Sequence, residues 1–390
     1  MEHRFLSKRY CQNKDEETVM GKVAALAQEA DDVINLSIGD PDVNTPLPII
    51  EAAFEDAKAG YTKYTDCRGY KELRDEIAKY YQEEFGLQVE DEEIMATTSG
   101  CIAMSLALEA ILDDGDEVIV PAPYFTIYKT QIELARGVLV EMDTYEEEHY
   151  QIDAARLEAC ITPKTKAIII NSPNNPTGSC LTLETMKKIA EIAEKHDLVV
   201  ISDEIYTIYS FADAFGPFSS LPGMRERTIT INSFSKNFVM TGWRVGAVIA
   251  PPQIINTMKR INENLVYSVP AISQRAALKA LRCRKDVQPA LAALFKERVY
   301  YAAERINKIP NMHVIYPPMG TFYLFLNIKD TGLTSEEAAM KIFEEAHVVM
   351  IPGNGYGKCG EGYLRIACTV DISQLKEAFD RIEKMEIFKA

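Results

Sequence analysis

No stretch of the sequence approaches the roughly 18 consecutive apolar residues needed to cross a membrane, and the opening MEHRFLSKRYCQNKDEE lacks the apolar centre of a secretion signal. These absences argue against a membrane partner and point to a cytoplasmic location. Positive charge is in deficit: 42 Lys and Arg against 58 Asp and Glu leave a formal net charge of −16. A surface of that sign repels a phosphate backbone, so nucleic acid is not an expected partner. There are only five histidines, and the eight cysteines, at positions 11, 67, 101, 160, 180, 283, 359 and 368, form no C-x-x-C pair. No metal site is expected, and reduced thiols are the default. Internal repeats and low-complexity linkers are also missing, and tryptophan occurs once, at Trp243.

What is present is a chain of 390 residues, long enough for one large domain and a smaller one, with an ordinary 47% of hydrophobic residues. Short apolar runs at 117–120, 167–170, 198–202, 228–231 and 247–250 read as strands. Between two of them, at 183–195, Met186, Ile189, Ala190 and Ala193 share one helical face. Strand, helix, strand alternation predicts an α/β fold with a mostly parallel sheet flanked by helices on both sides. The texture changes near residue 285. A long helical pattern through Leu291, Leu294 and Val299 leads to a strand-like 321–327, a capping-box pair Thr334 and Glu337, and a last helix through Leu375, Phe379 and Ile382. This reads as a smaller α+β domain at 286–390, joined by an N-terminal arm at 1–47 that includes the loop Ser37 to Asp42, with the large domain at 48–285.

The residues that carry chemistry cluster after the strands. Lys236, in SFSKNFVMTGWRVG, follows the run Thr228 to Asn232. Taken alone it reads as a surface lysine. Ser233 and Ser235 add hydroxyls, and Arg244 adds a planar fork suited to a phosphate. A second anion site is suggested by Thr97 to Ile102 (TTSGCI), which opens a helix and would present free backbone N–H groups, although most such starts are simply caps. Asp203, after the run 198–202, sits where open α/β sheets bind ligands, unless it only caps a turn. The stretch NSPNNPTG at 171–178 is a fixed turn, or only a tight loop. A phosphate site, a lysine able to react with an aldehyde and a carboxylate at strand ends have one economical common partner, pyridoxal 5′-phosphate.

In SFSKNFVMTGWRVG, NSPNNPTG, SDEIY, YTDCRGYKELR and the segments IPGNGYG and GYLRIA, the chain resembles the class I/II aminotransferases of pyridoxal-phosphate fold type I, from about Asn35 to the last helix. The resemblance implies a seven-stranded-type sheet with a small domain, and an activity that moves an amino group from an L-amino acid to a 2-oxo acid such as 2-oxoglutarate by a ping-pong route. It implies that Lys236 forms the aldimine and then moves the proton. Asp203 would pair with the pyridine nitrogen, Asn175 and Tyr206 would bond the ring's 3′-oxygen, and Phe125 would stack on the ring, unless it is ordinary core. Gly100, Cys101, Ile102, Ser233, Ser235 and Arg244 would hold the phosphate, and Tyr64 would reach the phosphate of a partner subunit in a homodimer with shared sites. Arg365 would grip the substrate α-carboxylate beneath a loop containing Gly39, and the Asn175–Pro176 peptide would be cis. Trp243 reads as packing that fixes the turn between Lys236 and Arg244.

Specificity is less defined. Relatives specific for aspartate often carry a lysine two residues after the glycine equivalent to Gly100, and this chain has Ile102 there. Asp15, Glu16 and Glu17 also depart from the Ser or Thr of relatives; they would disfavour an acidic side chain at the pocket mouth, or they are a solvated surface. Aspartate-like or broad specificity, with aromatic donors included, is the first reading. The alternatives are a carbon–sulfur β-lyase using the same residues, and a cofactor-sensing regulator, for which the roughly 34 residues before Asn35 are too short to hold a DNA-binding module.

Overall fold

A computed structural model describes residues 32–212 and 215–389. Its strands are β1 (Ile34–Asn35), β2 (Ile94–Thr97), β3 (Glu117–Ala122), β4 (Val138–Asp143), β5 (Thr165–Asn171) and β6 (Val199–Asp203). They continue as β7 (Thr228–Ser233), β8 (Gly246–Ile249), β9 (Tyr323–Asn327), β10 (Val348–Val349), β11 (Ile351–Pro352) and β12 (Tyr363–Ala367). Seven of them form one sheet in the order β2-β8-β7-β6-β5-β3-β4. All neighbours from β7 to β4 are parallel, and β8 alone runs against both of its neighbours.

This topology decides where chemistry can sit. The C-terminal ends of β2, β3, β5, β6 and β7 share one edge, and the reversed β8 starts there too, because Gly246 lies opposite both Thr97 and Ser233. Open α/β sheets bind ligands at that edge. The central strands are buried on both faces, which is why 167–170 and 198–202 read as unbroken apolar runs. Helix Leu183–Lys195 forms where its apolar face predicted, with Ile189, Ala190 and Ala193 buried and Thr182 as its N-cap. Two strands of the sheet, β2 and β4, escaped the sequence reading. The first is only four residues long, and the second is an edge strand with an exposed Val138, so neither shows a strong apolar run.

The C-terminal part packs helices Arg284–Ile306, Ser335–Ala346 and Ile372–Ile382 on an antiparallel sheet of order β11-β12-β9. Thr334 and Glu337 make the reciprocal capping box that their spacing predicted. The strand expected at 321–327 starts two residues later, at Tyr323, because Thr321 adopts a left-handed φ of 56° and turns its hydroxyl to accept the Tyr323 N–H at 3.0 Å. The N-terminal segment joins this core. β1 pairs in parallel with β10, and Ile34 and Leu36 pack among Leu291, Val299 and Phe379. The loop that follows is fastened by buried Arg298, which donates to Asp42 Oδ1 at 2.7 Å and to the Thr369 carbonyl at 3.1 Å.

Candidate functional site

Lys236 was expected at the end of a strand and instead stands on a one-turn helix, Phe234–Asn237, just past β7. Ser233 produces the turn: its Oγ accepts the Ser235 N–H at 3.2 Å and donates to Ser235 Oγ at 3.1 Å. The helix is fixed from below by Tyr209, whose hydroxyl donates to the Lys236 carbonyl at 3.0 Å, and by Asn237, which donates to Thr207 Oγ1 at 2.8 Å. Half-buried Lys236 then reaches across to the N-terminal loop, where Nζ donates to the Gly39 carbonyl at 2.5 Å.

Asp203 ends β6 and is 5% exposed. The Tyr128 hydroxyl donates to its Oδ2 at 2.5 Å, and the Ile205 N–H reaches Oδ1 at 3.3 Å. Burial pushes the carboxyl up to about 6, and these two neutral donors only partly oppose it. Among the described residues no cationic N–H is hydrogen-bonded to this carboxylate. Glu204, the next residue, turns to Ser202 Oγ and the Phe218 N–H, at 2.8 and 3.0 Å, and takes no part in the cluster.

The turn after β5 is held by Asn171, whose Oδ1 accepts the Asn175 N–H at 2.8 Å while its Nδ2 donates to the Asp203 carbonyl at 3.0 Å. The Asn175–Pro176 peptide is cis, as expected. Asn175 Oδ1 accepts from Arg365 Nη1 at 3.3 Å. Arg365 lies on β12, 5% exposed, with its guanidinium 4.6 Å over the Tyr323 ring and 5.3 Å from that of Tyr356. Its Nη2 donates to the Ser37 carbonyl, while Nε is buried with no partner among the described residues. An orphaned donor on a buried cation calls for an anionic acceptor. Tyr206 is buried beside it, and its hydroxyl lies 3.4 Å from that of Tyr323. Burial and the neighbouring Tyr323 hold the Tyr206 phenol well above its usual value, so it remains a donor at neutral pH.

On the other flank, Gly100, Cys101 and Ile102 lie in the first turn of helix Ser99–Ile111. A Cβ on Gly246 would come within 2.9 Å of the Ser99 carbonyl carbon and 3.0 Å of the Gly100 nitrogen. Only glycine lets β8 press against this helix start. Arg244, in a left-handed conformation (φ 53°), is exposed beside Cys101 and donates to the Thr241 carbonyl at 2.8 Å. Phe125 is half-buried and meets Tyr128 edge to face, with ring centroids 5.7 Å apart, which places it on the Asp203 side.

Tyr64 is the outlier. It is 87% exposed, and its ring contact is with Tyr267. Trp243 packs as expected and also donates to Thr45 Oγ1 at 3.1 Å, tying the turn to the N-terminal segment. Asp15, Glu16 and Glu17 lie outside the described residues. Sequence reasoning gave no role to Tyr128, Tyr323, Tyr356 or Asn171. Two of them carried a local signal, since Asn171 opens NSPNNPTG and holds Asn175 four residues on, and Tyr128 lies one helical turn past Phe125; Tyr323 and Tyr356 are brought in by tertiary pairing.

The profile of the family described as aminotransferase class I and II matches residues 31–382. The chain is 42% identical to the aspartate aminotransferase of Pyrococcus abyssi, over 93% of this chain and 94% of the relative. It is 39% identical to aromatic-amino-acid aminotransferase 2 of Thermococcus litoralis, again over 93% and 94%. The solved structure of Thermus thermophilus aspartate aminotransferase with maleate superposes with a TM-score of 0.91 at 32% identity, covering 97% of this chain and 99% of that one. A match across nearly the whole chain, on a fold that carries a lysine and a buried aspartate at one sheet edge and a buried arginine on β12, settles the family: this protein belongs to the class I and II aminotransferases and is an aminotransferase of pyridoxal-phosphate fold type I.

Proposed function

We propose that this enzyme moves the amino group of an L-amino acid, aspartate-like or aromatic, to a 2-oxo acid such as 2-oxoglutarate in two successive half-reactions, with pyridoxal 5′-phosphate carried on Lys236. The observation that carries the reading is the buried Asp203 carboxyl, pushed up to about 6 with only neutral donors among the described residues, at the same sheet edge as Lys236. The residues fit the group: the Gly246 and Gly100 contact leaves a close-packed helix start for a phosphate, and the donors Ser233, Ser235 and Arg244 stand at the same sheet edge. When bound, pyridoxal 5′-phosphate supplies an electrophilic aldehyde and a ring that accepts the electron pair released at the substrate α-carbon.

The chain's own residues divide the remaining work. Lys236 would hold the group at its aldehyde carbon, and its Nζ, when free, would take up and return the substrate α-proton. The Gly39 carbonyl, 2.5 Å from Nζ, is its acceptor when it is not so engaged. Asp203 would hold the ring nitrogen in its protonated form. Asn175 and Tyr206 orient the ring through its oxygen, Phe125 covers a face, and Arg365 takes the α-carboxylate on its free Nε edge. Ile102, the fourth residue of helix Ser99–Ile111, leaves no lysine there for a distal carboxylate, which favours admission of aromatic donors beside aspartate, in keeping with the two kinds of relative.

The proposal includes a cofactor-binding domain at 48–285, with 286–390 and the arm 1–47 as the smaller domain. It also includes a homodimer in which exposed Tyr64 completes the partner's phosphate site, and a cytoplasmic setting. Among the described residues no helix is long and apolar enough to cross a membrane. The β-lyase alternative loses ground, because the matched relatives are named aminotransferases. Steady-state transfer to 2-oxoglutarate tests the reading: parallel reciprocal plots and one 2-oxo acid formed per donor support it. Pyruvate and ammonia released from cysteine or cystathionine, with no transfer, would assign the lyase.

A further inference from the structure

The residue at the crossing point of this site is Tyr323, which opens β9 and is 3% exposed. In the β9–β12 ladder Arg365 pairs with Phe325, so Tyr323 is its diagonal neighbour on the same sheet face. That placement puts the Arg365 guanidinium 4.6 Å above the Tyr323 ring. The Tyr323 hydroxyl has two further neighbours. Tyr206 Oη donates to Tyr323 Oη at 3.4 Å, and a Cβ on Gly39 would fall 1.8 Å from Tyr323 Oη. One side chain therefore touches the carboxylate-binding arginine, a ring-orienting tyrosine and the loop whose carbonyl receives Lys236.

We infer that Tyr323 is a positioning residue for both ends of the reacting complex: its ring fixes the Arg365 guanidinium with the Nε edge free, and its hydroxyl aims the Tyr206 proton at the cofactor's ring oxygen. The inference rests on the roles of Arg365 and Tyr206 proposed above. A phenol hydroxyl has one proton and two lone pairs. Tyr206 now gives its proton to Tyr323; when it turns that proton to the ring oxygen instead, the bond reverses, its lone pair accepts the proton of Tyr323, and a donor that is itself hydrogen-bonded donates more strongly. The 3.4 Å separation is long for an O–H···O bond and leaves room to shorten when both hydroxyls turn. The ring acts separately. A guanidinium on an aromatic face in a dry site is held by the negative face of the ring and loses that preference on an aliphatic neighbour.

Two variants of the holoenzyme separate the two contributions. Tyr323→Phe keeps the ring and loses the hydroxyl. The midpoint of the pH titration of the lysine-linked cofactor's visible absorbance should rise by about half a unit, because a weaker bond to the ring oxygen favours the protonated link. Its affinity for the α-methyl derivative of the best donor, which binds but has no α-proton to lose, should stay within about twofold of wild type. Tyr323→Met fills similar volume without an aromatic face, and should bind that α-methyl amino acid about tenfold more weakly. An unmoved midpoint in the Phe variant, or wild-type affinity in the Met variant, overturns the inference. If the Met variant does not fold, the Phe midpoint alone decides it. A wild-type enzyme that shows no titrating absorbance would instead overturn the assignment of the cofactor site, whereas a titrating wild type beside an unmoved Phe variant fails only the role given to Tyr323.

Discussion

Replacing Asp203 by Asn separates the stability of the protein from its function. In the cofactor-free protein Asp203 is 5% exposed with two neutral donors, and burial raises its carboxyl from 3.8 to about 6. Between those two values the folded state binds more protons than the unfolded state, so stability falls as pH rises through the window. The full penalty, present above about pH 6, is two units at about 1.4 kcal/mol each, or about 3 kcal/mol. Asn keeps an acceptor for Tyr128 and has no charge to bury. The cofactor-free Asp203→Asn protein should therefore be more stable than wild type by up to about 3 kcal/mol at pH 8, with the difference shrinking towards zero near pH 4. Glu204, also raised, to about 7, is present in both proteins and cancels. Denaturant unfolding of both proteins across this pH range, followed by the fluorescence of Trp243, the only tryptophan, measures the difference. Adding pyridoxal 5′-phosphate should reverse the order at pH 8, since the cationic ring nitrogen supplies the partner that the carboxylate lacks. Equal stability of the two cofactor-free proteins at every pH, or an equal gain from the cofactor, would refute the reasoning.

Arg365→Lys should lower kcat/KM about 100-fold, mainly through KM, because a point charge replaces the planar fork and its aromatic seat; an unchanged dependence on amino-acid concentration would remove Arg365 from the carboxylate site. Gly39→Ala should destabilise the fold by about 1–3 kcal/mol and slow turnover, since its Cβ would lie 1.8 Å from Tyr323 Oη and the loop holding Lys236 Nζ would have to move. Unfolding midpoints and initial rates together check it, and wild-type values in both would mean that Tyr323 yields freely.

The parallel core was legible because burial on both faces writes continuous apolar runs, as at 167–170 and 198–202. Edge strand β4 was not, because its partly exposed residues need no such run, and neither was β2, which is buried throughout but only four residues long. Within the site, residues just past strand ends were readable: Lys236, Asp203 and Asn175 each follow a strong strand signal, and the sheet's own topology brings them to one edge. Tyr323 and Tyr356 were not readable. They join the site through the β9–β12 register and the packing of the C-terminal segment, and a tyrosine in an apolar strand looks like core until its neighbours are known. The one-turn helix under Lys236 was equally hidden, since its cause is a single serine cap after β7.

The central claim is that Lys236 carries the cofactor through which an amino group passes. It is tested most directly by mixing the coloured holoenzyme with one L-amino acid at a time, with no oxo acid present, and following the absorbance of the lysine-linked form. The account predicts stoichiometric bleaching to the amine form, one equivalent of 2-oxo acid released, fastest with aspartate or an aromatic donor, and no such conversion in Lys236→Ala. Substantial turnover in Lys236→Ala, or absorbance that persists while pyruvate accumulates from cysteine or cystathionine, would contradict it.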